Sequence, residues 1–150
     1  MLTRPLNEHG GLRTILAVLE KGDEAMDCLR RLAEVENISA AQLTALGAFR
    51  TAELSFFEWD TKEYLSIPVN EQVEVATMVG DIALDGEGKP AVHVHAVLGK
   101  RDGRAIAGHL ARGEVRPTLE VVITETEAHL HRVKDDETGL PLIKPHRAGP

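Results

Sequence analysis

The strongest constraint on this chain is a change in the spacing of its apolar residues. Met26, Leu29, Leu32 or Ala33, and Val35 recur at helical intervals, with Arg30, Arg31, Glu34 and Glu36 on the opposite face. That is the pattern of a half-buried helix. Asp23 has the chemistry of its N-cap and Asn37 of its C-terminal stop. From Gln42 to Glu127 the period becomes two. Ala52, Leu54 and Phe56 alternate with Glu53, Ser55 and Phe57; Val73, Val75, Thr77 and Val79 with Gln72, Glu74, Ala76 and Met78; Leu119, Val121 and Ile123 with Glu120, Val122 and Thr124. Alternation at period two is the signature of strands with one buried face.

Turn-forming residues punctuate this region at Asp60-Thr61-Lys62, Pro68, Asp85-Gly86-Glu87-Gly88 and Asp102-Gly103. Strands joined by such short turns pair mostly antiparallel. Ahead of the helix, the run from Arg13 to Leu19 reads as a further buried strand closed by Lys21-Gly22. One helix against about seven or eight strands is an α+β arrangement. At 150 residues the chain suits a single domain with one core. That core is expected over residues 10–143. The polar segment from Lys134 to Pro150, with three prolines, is expected to run over the surface or fray, and residues 144–150 to form a flexible tail.

Several functions are disfavoured at once. Seventeen basic residues against 24 acidic ones leave a net charge of −7, the wrong sign for a domain that lives by holding phosphates. The aromatic residues, Phe49, Phe56, Phe57, Trp59 and Tyr64, lie together rather than forming a stacking platform along the chain. No apolar stretch is long enough to span a membrane, and no secretory signal precedes Glu8, so a cytoplasmic location is expected. Cys28 is the one cysteine. It sits near the apolar stripe of the helix with no activating partner in sequence, so it reads as packing. Gly86 and Gly88 match no nucleotide-binding loop, and no Gly-x-Ser-x-Gly elbow is present.

The chemistry concentrates in Val92-His93-Val94-His95 and in Gly108-His109, on either side of Asp102-Gly103. In a strand, His93 and His95 project from one face about 7 Å apart, close enough to chelate one cation. Whether His109 joins them depends on the hairpin. A two-residue Asp102-Gly103 turn pairs Ala96 with His109 and turns His109 away. A three-residue loop, Arg101 to Gly103 with Gly103 left-handed, pairs His95 with His109 and gathers three imidazoles on one face. Gly103 suits either loop. Three histidines with an open fourth position form a catalytic zinc geometry, whereas structural sites are closed by a fourth protein ligand. Glu53, Glu58, Glu74 and Glu120 are candidate carboxylates for such a site, although alternating glutamates on strands commonly face water. The pair His129 and His131 has the same spacing without a third partner and reads as an exposed strand edge. Lys100, Arg101 and Arg104 read as a solvated hairpin tip.

Longer motifs carry a family resemblance. They are Phe56-Phe57-x-Trp59-Asp60-x-Lys62-x-Tyr64, Glu71-Gln72-Val73-Glu74-Val75, Gly80-Asp81-Ile82-Ala83, His93-x-His95-x-Val97-Leu98-Gly99, Gly108-His109-Leu110 and Arg116-Pro117-Thr118-Leu119-Glu120. In this order, across about residues 10 to 143, they resemble the bacterial branch of the plants and prokaryotes conserved (PPC) domain family. The resemblance implies one main helix on an antiparallel sheet, a homotrimer, and a divalent metal, zinc foremost, on His93, His95 and His109. Plant relatives join the domain to AT-hooks, which bind the DNA minor groove. This chain has no Arg-Gly-Arg-Pro core; Ala111-Arg112-Gly113-Glu114 puts an acid where the second arginine is needed, so DNA is not an expected partner. The expectation is a metal-dependent hydrolase or lyase acting on a small molecule at the metal. The alternative is a non-catalytic DNA-associated or protein-interaction module.

Overall fold

The computed structural model describes residues 1–127 and 129–144. The chain runs β1 (Leu2–His9), β2 (Leu12–Glu20), α1 (Ala25–Val35), β3 (Ala40–Glu58), β4 (Glu63–Val69), β5 (Val73–Leu84), β6 (Pro90–Gly99), β7 (Ala105–Glu125), β8 (Arg132–Lys134) and β9 (Pro141–Ile143). The first seven strands form one antiparallel sheet, and β8 and β9 form a separate hairpin. The α+β arrangement read from the sequence is therefore the one adopted. No helix among the described residues is long and apolar enough to cross a membrane.

Two long strands, β3 and β7, form the backbone of the sheet and pair with each other from Ala41↔Glu125 to Ser55↔His109. The outer edge of β3 carries β5 along its first half and β4 along its second. The outer edge of β7 carries β6 at its start and β2 at its end. Because β5 and β6 also pair with each other, the sheet closes on itself through β3, β5, β6 and β7. This closure sets β6 against the start of β7, which positions the histidines.

The core lies on the inner face, against α1. Met26, Cys28, Leu29, Leu32 and Ala33 of the helix are buried with Leu19, Phe49, Leu54, Leu98, Leu110 and Leu119 of the strands. Cys28 is 3% exposed, its thiol pushed up by burial first, with the Arg31 guanidinium at 3.7 Å. The helix begins one residue later than expected. Glu24, not Asp23, is the N-cap, accepting from the Met26 and Asp27 backbone N–H groups, while Asp23 accepts from the Glu20 N–H. At the other end Asn37 is left-handed at φ 52°, and the Ile38 N–H closes onto the Ala33 carbonyl, as a left-handed C-terminal stop requires.

Other expectations change as well. The alternation along β5 does not run unbroken: a bulge between Val75 and Thr77 reverses the faces, so Val73, Val75, Met78 and Ile82 are buried while Thr77 and Val79 face outward. Pro68 does not interrupt a strand. It lies inside β4, an edge strand, where its missing N–H leaves no ladder bond unmade. Lastly, residues 132–143 do not merely trail over the surface. The β8–β9 hairpin is tied back by Leu84 N–H donating to the Leu130 carbonyl. Residues 145–150, most of the expected tail, lie outside the described residues. At the N-terminus, β1 adds an exposed edge strand where the sequence reading placed no element.

Candidate metal centre

The site is built on β6 and β7. Along β6 the inward residues are Val94, Ala96 and Leu98, each at most 2% exposed, so His93 and His95 point outward together. The connection to β7 is the three-residue loop. Lys100 N–H donates to the Arg104 carbonyl, Gly103 N–H to the Lys100 carbonyl, and Gly103 is left-handed at φ 83°. His95 therefore pairs with His109. Gly108 supports the approach of the third strand, because a Cβ there would lie 2.9 Å from the Ser55 carbonyl oxygen.

The three imidazoles form one cluster. Ring centroids are 5.0 Å apart for His93 and His95, 5.1 Å for His93 and His109, and 5.5 Å for His95 and His109. One nitrogen from each lies within 4.8 Å of the others. Burial, followed by the charges of His93 and His95, pushes His109 down to about 4. Burial and then His93 also hold His95 below its ordinary value. Neutral imidazole is the form that donates a lone pair to a metal. His109 Nδ1 is buried with no hydrogen-bond partner among the described residues. Such an orphan costs about 1–3 kcal/mol unless something meets it. A bound cation is one partner that would, so the donor set fits a nitrogen-loving divalent metal such as zinc.

Next to the cluster lies a carboxylate that the sequence reading did not assign. Asp81 pairs across the strands with His93, and its Oδ2 is 3.7 Å from His93 Nδ1. Its other oxygen accepts from the Arg132 guanidinium, which also donates to the Pro141 carbonyl. Burial alone would raise the Asp81 carboxyl, but His93 and Arg132 outweigh it and hold the group below the usual carboxylate range. Arg132 is 7% exposed, and its Nε has no partner among the described residues. Tyr64 packs on His109 with centroids 5.3 Å apart. The register of the Asp85–Gly88 turn held the signal for Asp81, since pairing Leu84 with Pro90 brings Asp81 opposite His93. Nothing local could have placed Arg132, which arrives on a separate hairpin.

The three histidines, Tyr64 and Arg132 line a cleft of about 430 Å³ together with an apolar wall from Ala91, Val92 and Leu140 to Leu142. None of the four glutamates singled out in the sequence lines it. Glu53 accepts from Ser66 Oγ at 2.6 Å, and Glu58 lies at the β3–β4 turn beside the Asp60 N–H. Glu74 borders a different cleft with Glu71 and Lys100, and Glu120 is exposed far along β7. Their alternation marks a wet sheet face rather than chemistry. His129 and His131 also stay apart from the cluster. His129 Nδ1 meets Ser39 Oγ at 2.8 Å, and His131 forms an isolated bridge with Leu84. At the hairpin tip, Lys100 pairs with Glu71 at 2.9 Å and Arg104 with Asp102 at 2.7 Å.

Comparison with known proteins bears on this geometry. Residues 6–127 match the Plants and Prokaryotes Conserved (PCC) domain. A structure described as a metal-containing protein of Archaeoglobus fulgidus shares 30% identity over 88% of this chain and 93% of its own, with a TM-score of 0.81. A plant- and prokaryote-conserved (PPC) protein of Pyrococcus horikoshii shares 28% over 93% and 98%, with a TM-score of 0.82. A proposed DNA-binding protein of Ralstonia eutropha JMP134 shares 29% over 87% and 90%, with a TM-score of 0.81. No functionally curated protein shows significant similarity to the chain.

Proposed function

The chain belongs to the Plants and Prokaryotes Conserved domain family, and from that premise we propose that it binds one divalent metal, zinc foremost, through His93, His95 and His109. The observation that carries the reading is the cluster itself: three imidazoles that each offer a nitrogen within 4.8 Å of the others, with His109 Nδ1 buried and unpartnered among the described residues. The metal-containing Archaeoglobus relative supports it. Asp81 Oδ2 faces Nδ1 of His93 at 3.7 Å, which favours Nε2 as the donor nitrogen, and Arg132 in turn holds Asp81. A cation with an open position supplies Lewis acidity toward a carbonyl group or a water molecule. The cleft beside it admits a small molecule and suits a hydrolase or lyase reaction in a cytoplasmic homotrimer.

Elemental analysis of protein purified without an affinity tag tests the reading. About one metal per chain is expected in the parent and almost none in a His93→Ala/His109→Ala double variant. A parent that stays metal-free after zinc addition and dialysis sinks it. Light scattering of the same samples tests the trimer, which predicts three chains per particle. DNA association is the second reading, suggested by the Ralstonia relative. Against it stand the net charge of −7 and the acidic partners already held by Lys100 and Arg104. Salt-sensitive binding to duplex DNA would favour it.

A further inference from the structure

The cleft beside the histidines has an unbalanced charge. Arg132 is almost wholly buried, Asp81 is shared between its guanidinium and His93, and no carboxylate among the described residues lines the space itself. With a dication on the histidines, a single carboxylate leaves the cleft with excess positive charge in a partly desolvated setting. A buried guanidinium with an unmet Nε is costly, and such excess charge calls for an anion. The rest of the lining is apolar: Ala91 and Val92 from β6, then Leu140, Pro141 and Leu142 beside Arg132 on the β8–β9 hairpin. The hairpin therefore contributes both the cation and the greasy wall.

We propose that the cleft takes a small organic carboxylate with a short apolar tail. Its head lies at the histidines within reach of the Arg132 charge, and its tail against the apolar lining of Ala91, Val92, Leu140 and Leu142. This rests on the metal reading above and adds the ligand class. An uncharged amide leaves the excess charge unmet. Inorganic phosphate meets the charge but wastes the apolar wall.

Cobalt(II)-loaded parent protein, in a buffer free of carboxylate and phosphate, provides the test. Its visible metal absorption and thermal stability are followed on addition of acetate, butanoate, butanamide and inorganic phosphate. Butanoate is expected to bind about tenfold tighter than acetate, from burial of two methylenes, and butanamide to have no effect. Leu142→Asp, which places a negative charge on a residue 39% exposed in the wall, should weaken butanoate about tenfold with cobalt content unchanged. Arg132→Met, read at cobalt concentrations that saturate its weakened metal site, should also weaken butanoate about tenfold; should that variant fail to fold, the butanoate and butanamide comparison on the parent decides alone. Equal responses to butanoate and butanamide, or phosphate tighter than butanoate, would overturn the ligand class while leaving the metal reading intact. Failure of the parent to bind cobalt or zinc would overturn both.

Discussion

Asp81→Asn tests how the site is held. The substitution keeps the shape of the side chain and removes its charge. Two partners then lose something: His93 loses the carboxylate charge 3.7 Å from its Nδ1, and the buried Arg132 guanidinium loses its carboxylate. Outer carboxylates that orient metal-binding histidines are worth about 10–100-fold in metal affinity, or about 1.4–2.7 kcal/mol. Breaking a fully buried ion pair by removing one partner costs about 3–5 kcal/mol, but Asp81 remains 30% exposed, so solvent screening brings the expected loss of stability nearer about 2 kcal/mol. Zinc affinity is measured by competition with a chromophoric chelator, and stability by urea unfolding of metal-free protein. Arg132→Met should lower zinc affinity less, because Asp81 still faces His93. The Asp81→Asn/Arg132→Met double variant should bind zinc no more weakly than Asp81→Asn alone, since Arg132 acts through Asp81. Unchanged zinc affinity in a folded Asp81→Asn variant refutes the argument.

Other perturbations probe the scaffold. In Gly80→Ala the new methyl runs into the His93 carbonyl oxygen and comes to 3.0 Å from Val94 Cα, so the β5–β6 pairing must shift; a stability loss of about 2–3 kcal/mol and weaker metal binding are expected from urea unfolding and zinc titration. Arg13 donates to both oxygens of Glu125, and this bond, stronger than the opposing effect of burial, holds Glu125 below its ordinary value of 4.5. The depressed carboxyl contributes fully above about pH 4.5 and progressively less as pH falls through its folded value. Glu125→Gln should therefore be about 2 kcal/mol less stable at pH 7, with the gap to the parent narrowing in acid; a constant gap across pH 3–7 contradicts this. Cys28, buried in the core, should react with a thiol reagent only after denaturant is added, and fast labelling of native protein would overturn its packing role.

Much of this molecule is legible locally. The helix from Met26 to Val35, its stop at Asn37 and the paired strand faces follow from spacing, because side-chain direction is set by backbone period. The adjacency of His93 and His95 follows in the same way. The limits of local reading are equally specific. The bulge after Val75 reverses a face without any residue that announces it, and the N-cap falls on Glu24 because that carboxylate also receives the Gly113 N–H from β7.

What the sequence by itself determined is the α+β class, the helix and the His93–His95 pair, all set by interactions within a few residues. Tertiary structure alone decided the rest. It selected the three-residue loop that brings His109 to His95, for which Gly103 was suited but not sufficient. It also placed Asp81, rather than any of the four glutamates, beside the cluster, and carried Arg132 in on a hairpin remote along the chain. The physical reason is register. A slip of one residue between strands turns a side chain to the other face, and register is fixed by the summed pairing of the closed sheet.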